Sequence, residues 1–224
     1  MEKCSLNANS TEYVFDLDDT LYSERDYSKS ALTFAGSLIA DLFGLFDSSK
    51  QLLILLDEKA SLPIDSYWAK TLLPEVAKKQ VIAGMNAHIP DISLYPDAAR
   101  VLSKLRQSDS GFGIVTDGRS VTQRAKLRAL NCLDAKYISI SEEAGLPKTD
   151  IRRFKNFATR FPAKRYVYVG DNPAKDFFAP NQLGWHTIML SRRADNIHLQ
   201  DREFTPAFTA SRTIASLDEL LSAL

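Results

Sequence analysis

Short apolar runs that stop abruptly at a polar, acidic corner recur along this chain. Tyr13–Phe15 runs into Asp16, Ile114–Val115 into Thr116-Asp117-Gly118, and Tyr166–Val169 into Gly170-Asp171. Tyr137–Ile140, Trp185–Leu190 and the short Arg212–Ile214 are further strand candidates. Between them lie helical patterns over Ala98–Arg106, Val121–Leu130, Ile151–Phe161 and Ala174–Leu183, with Ser216–Leu224 closing the chain. A strand that is apolar without alternation, such as Tyr-Val-Tyr-Val, is covered on both faces. Strands alternating with helices predict a parallel α/β sheet with helices on each side.

One region breaks the alternation. No strand is convincing between Ser23 and about Asp91, where helical spacing dominates. Tyr27, Ala31, Phe34, Leu38 and Leu42 recur at intervals of three and four, as on one face of a helix. Leu52, Leu53, Leu55 and Leu56 start a second helix with Asp47 or Ser48 as its N-cap, and Val76–Met85 gives a further one. The expected division is a catalytic core of residues 1–22 and 92–224, with residues 23–91 as an inserted helical cap.

The 28 basic and 28 acidic residues of this 224-residue chain cancel, so no charge excess points to a nucleic-acid partner. The polar start MEKCSLNANS lacks the apolar run of a secretory signal. Ala31–Phe46 is too short and too polar for a bilayer span of about 20 residues. Cys4 and Cys132 have no metal-like spacing and read as free thiols of a reducing compartment. A cytoplasmic protein without a membrane partner is expected.

In an open parallel sheet, ligands bind outside the carboxyl ends of the strands. Four loops bring polar groups there: Asp16-Leu17-Asp18-Asp19-Thr20, Thr116-Asp117-Gly118, Lys148 in GLPKTD, and Gly170-Asp171-Asn172 with Asp176 beyond. Asp16, Asp18, Asp171 and Asp176 are too anionic to converge unpaired away from water. A hard divalent cation relieves them, and Mg²⁺ suits one or two carboxylates plus water and a substrate phosphate. Thr116 and the amides beyond it form an anion cradle, and Lys148 faces a phosphate oxygen. Such a set describes phosphoryl transfer.

At these residues the chain resembles the haloacid dehalogenase (HAD) superfamily hydrolases, in the branch with a helical cap between its first two motifs. DLDDTL, VTDG, Lys148 and GDNPAKD stand in the order of that superfamily's four motifs over nearly the whole chain. The resemblance implies a Rossmann-like core and a role for each residue. Asp16 is the nucleophile that carries an aspartyl-phosphate, and Asp18 is the general acid and base. Thr20 fixes the turn and Asp18. Mg²⁺ is held by Asp16, the Asp18 main-chain carbonyl and Asp171, with Asp176 a ligand through water or a partner of Lys148. Thr116 with the amides of Asp117 and Gly118 holds the phosphate, which Lys148 neutralises. Thr149 replaces the proline that often follows the motif lysine, so Thr149 or Asp150 caps the next helix. Asp19 is left without a role, and Lys175 reads as a solvated helix residue.

A phosphoryl-accepting receiver domain is disfavoured, because it pairs acids on its first strand, phosphorylates a later one and lacks the insertion. A dehalogenase needs neither an acid/base at Asp18 nor the full metal site. The expected activity is therefore hydrolysis of a small phosphomonoester, of the nucleotide or sugar phosphate class, by a monomer or homodimer. A phosphomutase of the same superfamily and a catalytically weak binding or regulatory protein are the alternatives. Substrate choice would lie in the cap. Tyr67 and Trp68 are candidates for stacking on a base, with the cap's own core the favoured reading, and Arg25 is a candidate for a second anionic group. Asn86 and His88 lie near the exit from the cap, with His88 expected at the surface.

Overall fold

The apolar strands of the sequence occupy a single sheet whose two faces are both covered by helices. The structure, a computed structural model, describes residues 11–58, 63–108, 111–191, 200 and 204–224. Strands β1 (Thr11–Phe15), β2 (Gly113–Thr116), β3 (Tyr137–Ile140), β4 (Arg165–Gly170), β5 (His186–Leu190) and β6 (Arg212–Ile214) pair in the order β3-β2-β1-β4-β5-β6, all parallel. The order reverses between β1 and β4, which opens a crevice beyond their carboxyl ends. Phe15 lies opposite Val169, and the Asp16 amide donates to the Val169 carbonyl at 2.8 Å, so β1 and β4 reach the crevice in step.

Helices α1 (Glu24–Phe43), α2 (Ser48–Asp57), α3 (Pro63–Trp68) and α4 (Glu75–Ala87) all lie between β1 and β2, followed by α5 (Pro96–Gln107). Helices α6 (Ser120–Ala129), α7 (Ser141–Ala144), α8 (Ile151–Arg160) and α9 (Phe178–Gln182) connect the later strands. Phe15, Ile114 and Val169 pack with Val101, Leu102 and Leu127 on one face of the sheet. Val14, Val115 and Tyr168 pack with Phe154, Phe157 and Trp185 on the other. The first four helices bury a separate cluster that includes Leu32, Ile39, Leu52, Trp68 and Val81. Where the chain returns from them, the Tyr95 amide donates to the Leu21 carbonyl at 2.9 Å, so the two connecting segments run side by side.

Several details differ from the sequence expectation. The buried stripe of α1 is Ala31, Leu32, Ala35, Gly36 and Ile39, rotated from the expected one, while Phe34 and Leu42 are exposed. The cause is steric. Ala35 and Gly36 let α2 approach so closely that a Cβ on Gly36 would lie 2.3 Å from Ser49 Cα. The helix expected over Ala174–Leu183 begins only at Phe178, because the Lys175 and Asp176 amides turn back onto the Asn172 carbonyl. Lys175 is exposed as expected, but in that turn and not in a helix. The chain ends in a 3₁₀ turn, Leu217–Ala223, whose first amide donates to the buried Asp97 carboxylate.

His88 is buried, not at the surface. Its ring stacks on Phe34 and lies 5.8 Å from that of Tyr27, and its Nε2 is 3.0 Å from Ser30 Oγ. No helix among the described residues is long and apolar enough to cross a membrane. Cys132 is a buried free thiol, whereas Cys4 and the polar amino-terminal run lie outside the described residues.

Gly36→Ala is expected to lower stability by about 1–3 kcal/mol, the usual range for overpacking a close contact. The shift of the urea midpoint measures it.

Candidate active site

Asp16, the residue after β1, is buried, and the chain turns at once: the Leu21 amide donates to the Leu17 carbonyl at 3.0 Å. Asp19 sits in the left-handed region (φ 51°), which Asp tolerates better than most residues. Its carboxylate accepts the amide of Glu24, the first residue of α1, at 2.9 Å. The third aspartate of the cluster thus ties the turn to the helical insertion. The turn also sends the side chains of Asp16 and Asp18 to different neighbours.

Asp16 faces the loops after β4 and before α8. Lys148 Nζ lies 2.5 Å from Asp16 Oδ1 and 2.9 Å from Asp176 Oδ1. The contact with Asp16 is a close charge pair whose angles miss those of a hydrogen bond, which leaves the buried Asp16 Oδ1 without an aligned donor. Asp176 is held from all sides: Tyr168 Oη donates to Oδ1 at 3.2 Å and the Asn172 amide to Oδ2 at 2.7 Å. Gly170 makes room for it, since a Cβ there would lie 2.4 Å from Asp176 Oδ2. Thr20 Oγ1 reaches Asp171 Oδ1 at 3.5 Å, so the Thr20 hydroxyl serves Asp171 and not Asp18 as the resemblance implied. Lys148 precedes α8, which Asp150, not Thr149, caps by accepting the Arg152 amide.

The end of β2 is held from below by Arg153, a fully buried side chain of α8. Its guanidinium donates to the Thr116 carbonyl at 2.8 Å, to the Ser139 carbonyl at 2.6 Å and to Asp117 Oδ1 at 2.7 Å. The expected pair of phosphate-facing amides is only half available, because the Gly118 amide already donates to Ser141 Oγ at 2.9 Å. Gly118 has φ 144°, and its Cα packs so near Gln123 that a Cβ would meet that side chain at 3.1 Å. Gln123 Nε2 in turn donates to Thr116 Oγ1 at 2.6 Å. With its lone pair engaged, the Thr116 hydroxyl keeps its hydrogen for another acceptor.

Asp18 faces α6. Lys126 Nζ and Gln123 Nε2 reach its two oxygens at 2.8 and 2.9 Å, and Tyr22 Oη lies 2.5 Å from Oδ1. Arg153, Gln123 and Lys126 carry no signal of their own in the sequence. The spacing of Gln123 and Lys126, three apart on the helix that follows VTDG, is the one hint that both face the motif.

The cap candidates fare differently. Tyr67 and Trp68 do not face the site: they are 4% and 5% exposed in the cluster between α1, α2 and α4, with Tyr67 Oη bonded to Ser48 Oγ at 2.6 Å. Their burial comes from the need of a small helical module to fill its own core. Arg25 lies at the start of α1, with its guanidinium on Asp57 of α2 at 2.6 Å.

Oxygen atoms of Asp16, Asp171 and Asp176 all lie within 4.8 Å of one another, and the three residues are buried. Burial is the largest influence on Asp16, opposed by Lys148 and reinforced by Asp176 and Asp18, and it holds that carboxyl well above the ordinary range. Asp171 is raised for the same reasons, by burial first and then by Asp176 and Asp16. Asp18 goes the other way: burial would raise it, but Lys126 and the donors around it outweigh that and hold it low. An all-oxygen donor set, a buried oxygen without an aligned donor and two carboxyls raised by burial and then by their anionic neighbours fit a hard divalent cation such as Mg²⁺.

A family model described as haloacid dehalogenase-like hydrolase matches residues 13–184. Glyceraldehyde 3-phosphate phosphatase of Methanocaldococcus jannaschii is 27% identical over 221 residues, covering 93% of this chain and 94% of that protein. The enzyme of the same name from Pyrococcus furiosus is 29% identical over 226 residues, covering 94% and 91%. A magnesium-bound HAD hydrolase of Bacillus subtilis superposes with a TM-score of 0.66 at 19% identity, over 97% of this chain and 99% of that one.

Carboxyls raised on folding bind more protons in the folded than in the unfolded chain, so their contribution to stability is lost as pH rises through the raised values. Each such proton is worth about 1.4 kcal/mol per pH unit. Metal-free protein is therefore expected to melt at a lower temperature at pH 8.5 than at pH 6. Added Mg²⁺ should raise the melting temperature most at the higher pH. Thermal melts in chelator and in Mg²⁺ check both.

Proposed function

The chain belongs to the haloacid dehalogenase-like hydrolases, and on that premise we propose that it is an Mg²⁺-dependent phosphatase that cleaves a small phosphomonoester through a phosphoryl group carried on Asp16. The observation that carries this reading is the division of the two reacting carboxylates. Asp16 lies with Lys148, Asp171 and Asp176, whereas Asp18, two residues on, is held by a separate set of donors.

In this reading a carboxylate oxygen of Asp16 attacks phosphorus in line while the ester oxygen leaves with a proton from Asp18, whose protonated form the charge of the arriving phosphate favours against the pull of Lys126. Water then attacks the acyl phosphate, gives its proton to Asp18 and restores Asp16 with release of inorganic phosphate. Lys148, fixed by Asp176, offers positive charge to the phosphoryl oxygens, and the Thr116 hydroxyl and Asp117 amide donate to them. Asp16, Asp171 and the Asp18 carbonyl would hold Mg²⁺, with Asp176 oriented toward Lys148. When bound, the ion supplies further charge to the transferring group. Residues 23–91 would act as the cap above the crevice of a core formed by residues 1–22 and 92–224.

Asp18 favours a phosphoester over a haloacid, because displacement of halide needs no proton on the leaving group. The similarity to two archaeal glyceraldehyde 3-phosphate phosphatases spans nearly the full length of each chain. Glyceraldehyde 3-phosphate is accordingly the first ester to test.

Turnover of p-nitrophenyl phosphate and of glyceraldehyde 3-phosphate should need Mg²⁺, vanish with chelator and return on its addition. Asp16→Asn should lower kcat on the order of 10⁴-fold or more, and Asp18→Asn by about 10²–10⁴-fold on the sugar phosphate. Turnover indifferent to chelator, or an active Asp16→Asn variant, would refute the mechanism.

A further inference from the structure

Lys126 is a buried lysine that belongs to none of the motifs, and burying an ammonium group is costly unless carboxylates surround it. Its Nζ lies 2.8 Å from Asp18 Oδ1 and 2.8 Å from Glu24 Oε2, over the face of the Tyr27 ring at 4.0 Å. Tyr22 Oη completes the knot at 2.5 Å from Asp18 Oδ1 and 2.6 Å from Glu24 Oε2. Lys126 comes from the core helix α6, Asp18 from the loop after β1, and Glu24 and Tyr27 from the first turn of α1. One ammonium group thus joins three elements on which different parts of the site depend. Without it, two carboxylates would face each other in a dry pocket and part. Asp16 has its own lysine in Lys148, so the two candidate reacting groups are held by separate cations.

We propose that Lys126 is a positioning residue that aims the Asp18 carboxylate, and that through Glu24 it makes this aim depend on where helix α1 stands. The inference rests on the reading of Asp18 as the proton donor. An alkyl phosphate has a poor leaving group and needs a well-aimed Asp18. A p-nitrophenyl ester leaves without a proton and tolerates a misplaced one. Lys126 pairs with Asp18 and Glu24, whereas the cation on Asp16 is Lys148, so the loss of Lys126 should act on kcat and leave KM in place.

The test is Lys126→Met, assayed with glycerol phosphate and p-nitrophenyl phosphate, alone and combined with Asp18→Asn. The expected result is a kcat on the alkyl ester reduced about 100-fold, with the aryl ester reduced about tenfold less than that and KM unchanged for both. In the Asp18→Asn background the lysine substitution should add nothing. Equal loss on the two esters, or a full lysine effect without Asp18, overturns the proposal. Glu24→Ala, which keeps both the Lys126 and Asp18 side chains and serves also if Lys126→Met fails to fold, should shift the alkyl-to-aryl ratio in the same direction. An unchanged ratio overturns the link to α1. Should the wild type cleave neither ester, the phosphatase reading falls. A crystal structure of Lys126→Met or Glu24→Ala then decides the positioning claim by itself: a displaced Asp18 carboxylate supports it, and one in its original place overturns it.

Discussion

The structure depends on a lysine placed between two buried aspartates. Asp16, Asp171 and Asp176 converge because β1 and β4 are neighbours at the reversal of strand order, and their carboxyl ends share one crevice. Lys148 meets two of the three and offsets part of their repulsion. The surrounding details follow from keeping that pair in place. Gly170 lacks a Cβ so that Asp176 can pack on the strand end, Tyr168 and the Asn172 amide orient Asp176, and the Asp150 cap starts α8 directly after the Lys148 loop. A donor set left short of positive charge is also what a divalent cation requires.

A second lysine organises the other side of the turn. Asp16 and Asp18 are separated by a single residue, yet the bend at Leu17–Leu21 turns one toward the β4 loop and the other toward α6. Asp19 holds that bend through its left-handed backbone and its bond to the Glu24 amide. The same few residues therefore shape the candidate reaction centre and the start of the helical insertion. Movement of α1 would be felt at Asp18 sooner than at Asp16, whose contacts lie within the core.

Much of this was legible in the chain. The apolar runs of β1, β2 and β4 mark a doubly covered sheet because strands buried on both faces cannot alternate, and an abrupt aspartate after such a run marks the strand end. The carboxylates, Thr116 and Lys148 at the strand ends could be read as a phosphoryl-transfer set around a cation, while the role of each residue was implied by the resemblance of the four motifs to the haloacid dehalogenase superfamily. The helical insertion was visible as an absence of strand pattern. What could not be read is the direction of individual side chains. The spacing of Tyr27, Phe34 and Leu42 suggested one buried stripe for α1, while the close crossing permitted by Ala35 and Gly36 buried another. For Tyr67 and Trp68 the core was the favoured of two readings, and the packing of the four helices drew them inward.

The sequence by itself determined the fold class, the order of the motifs and the set of residue types that meet at the strand ends, because hydrophobic period and local turn chemistry are written in consecutive residues. Tertiary structure alone decided who partners whom. The Gly118 amide goes to Ser141, Thr20 to Asp171, Arg153 under Asp117, and Lys126 to Asp18 and Glu24. Each of these contacts joins residues from different elements. A buried charge or amide takes whichever partner the packed sheet and helices bring within reach, and that geometry exists only once the strands have taken their order.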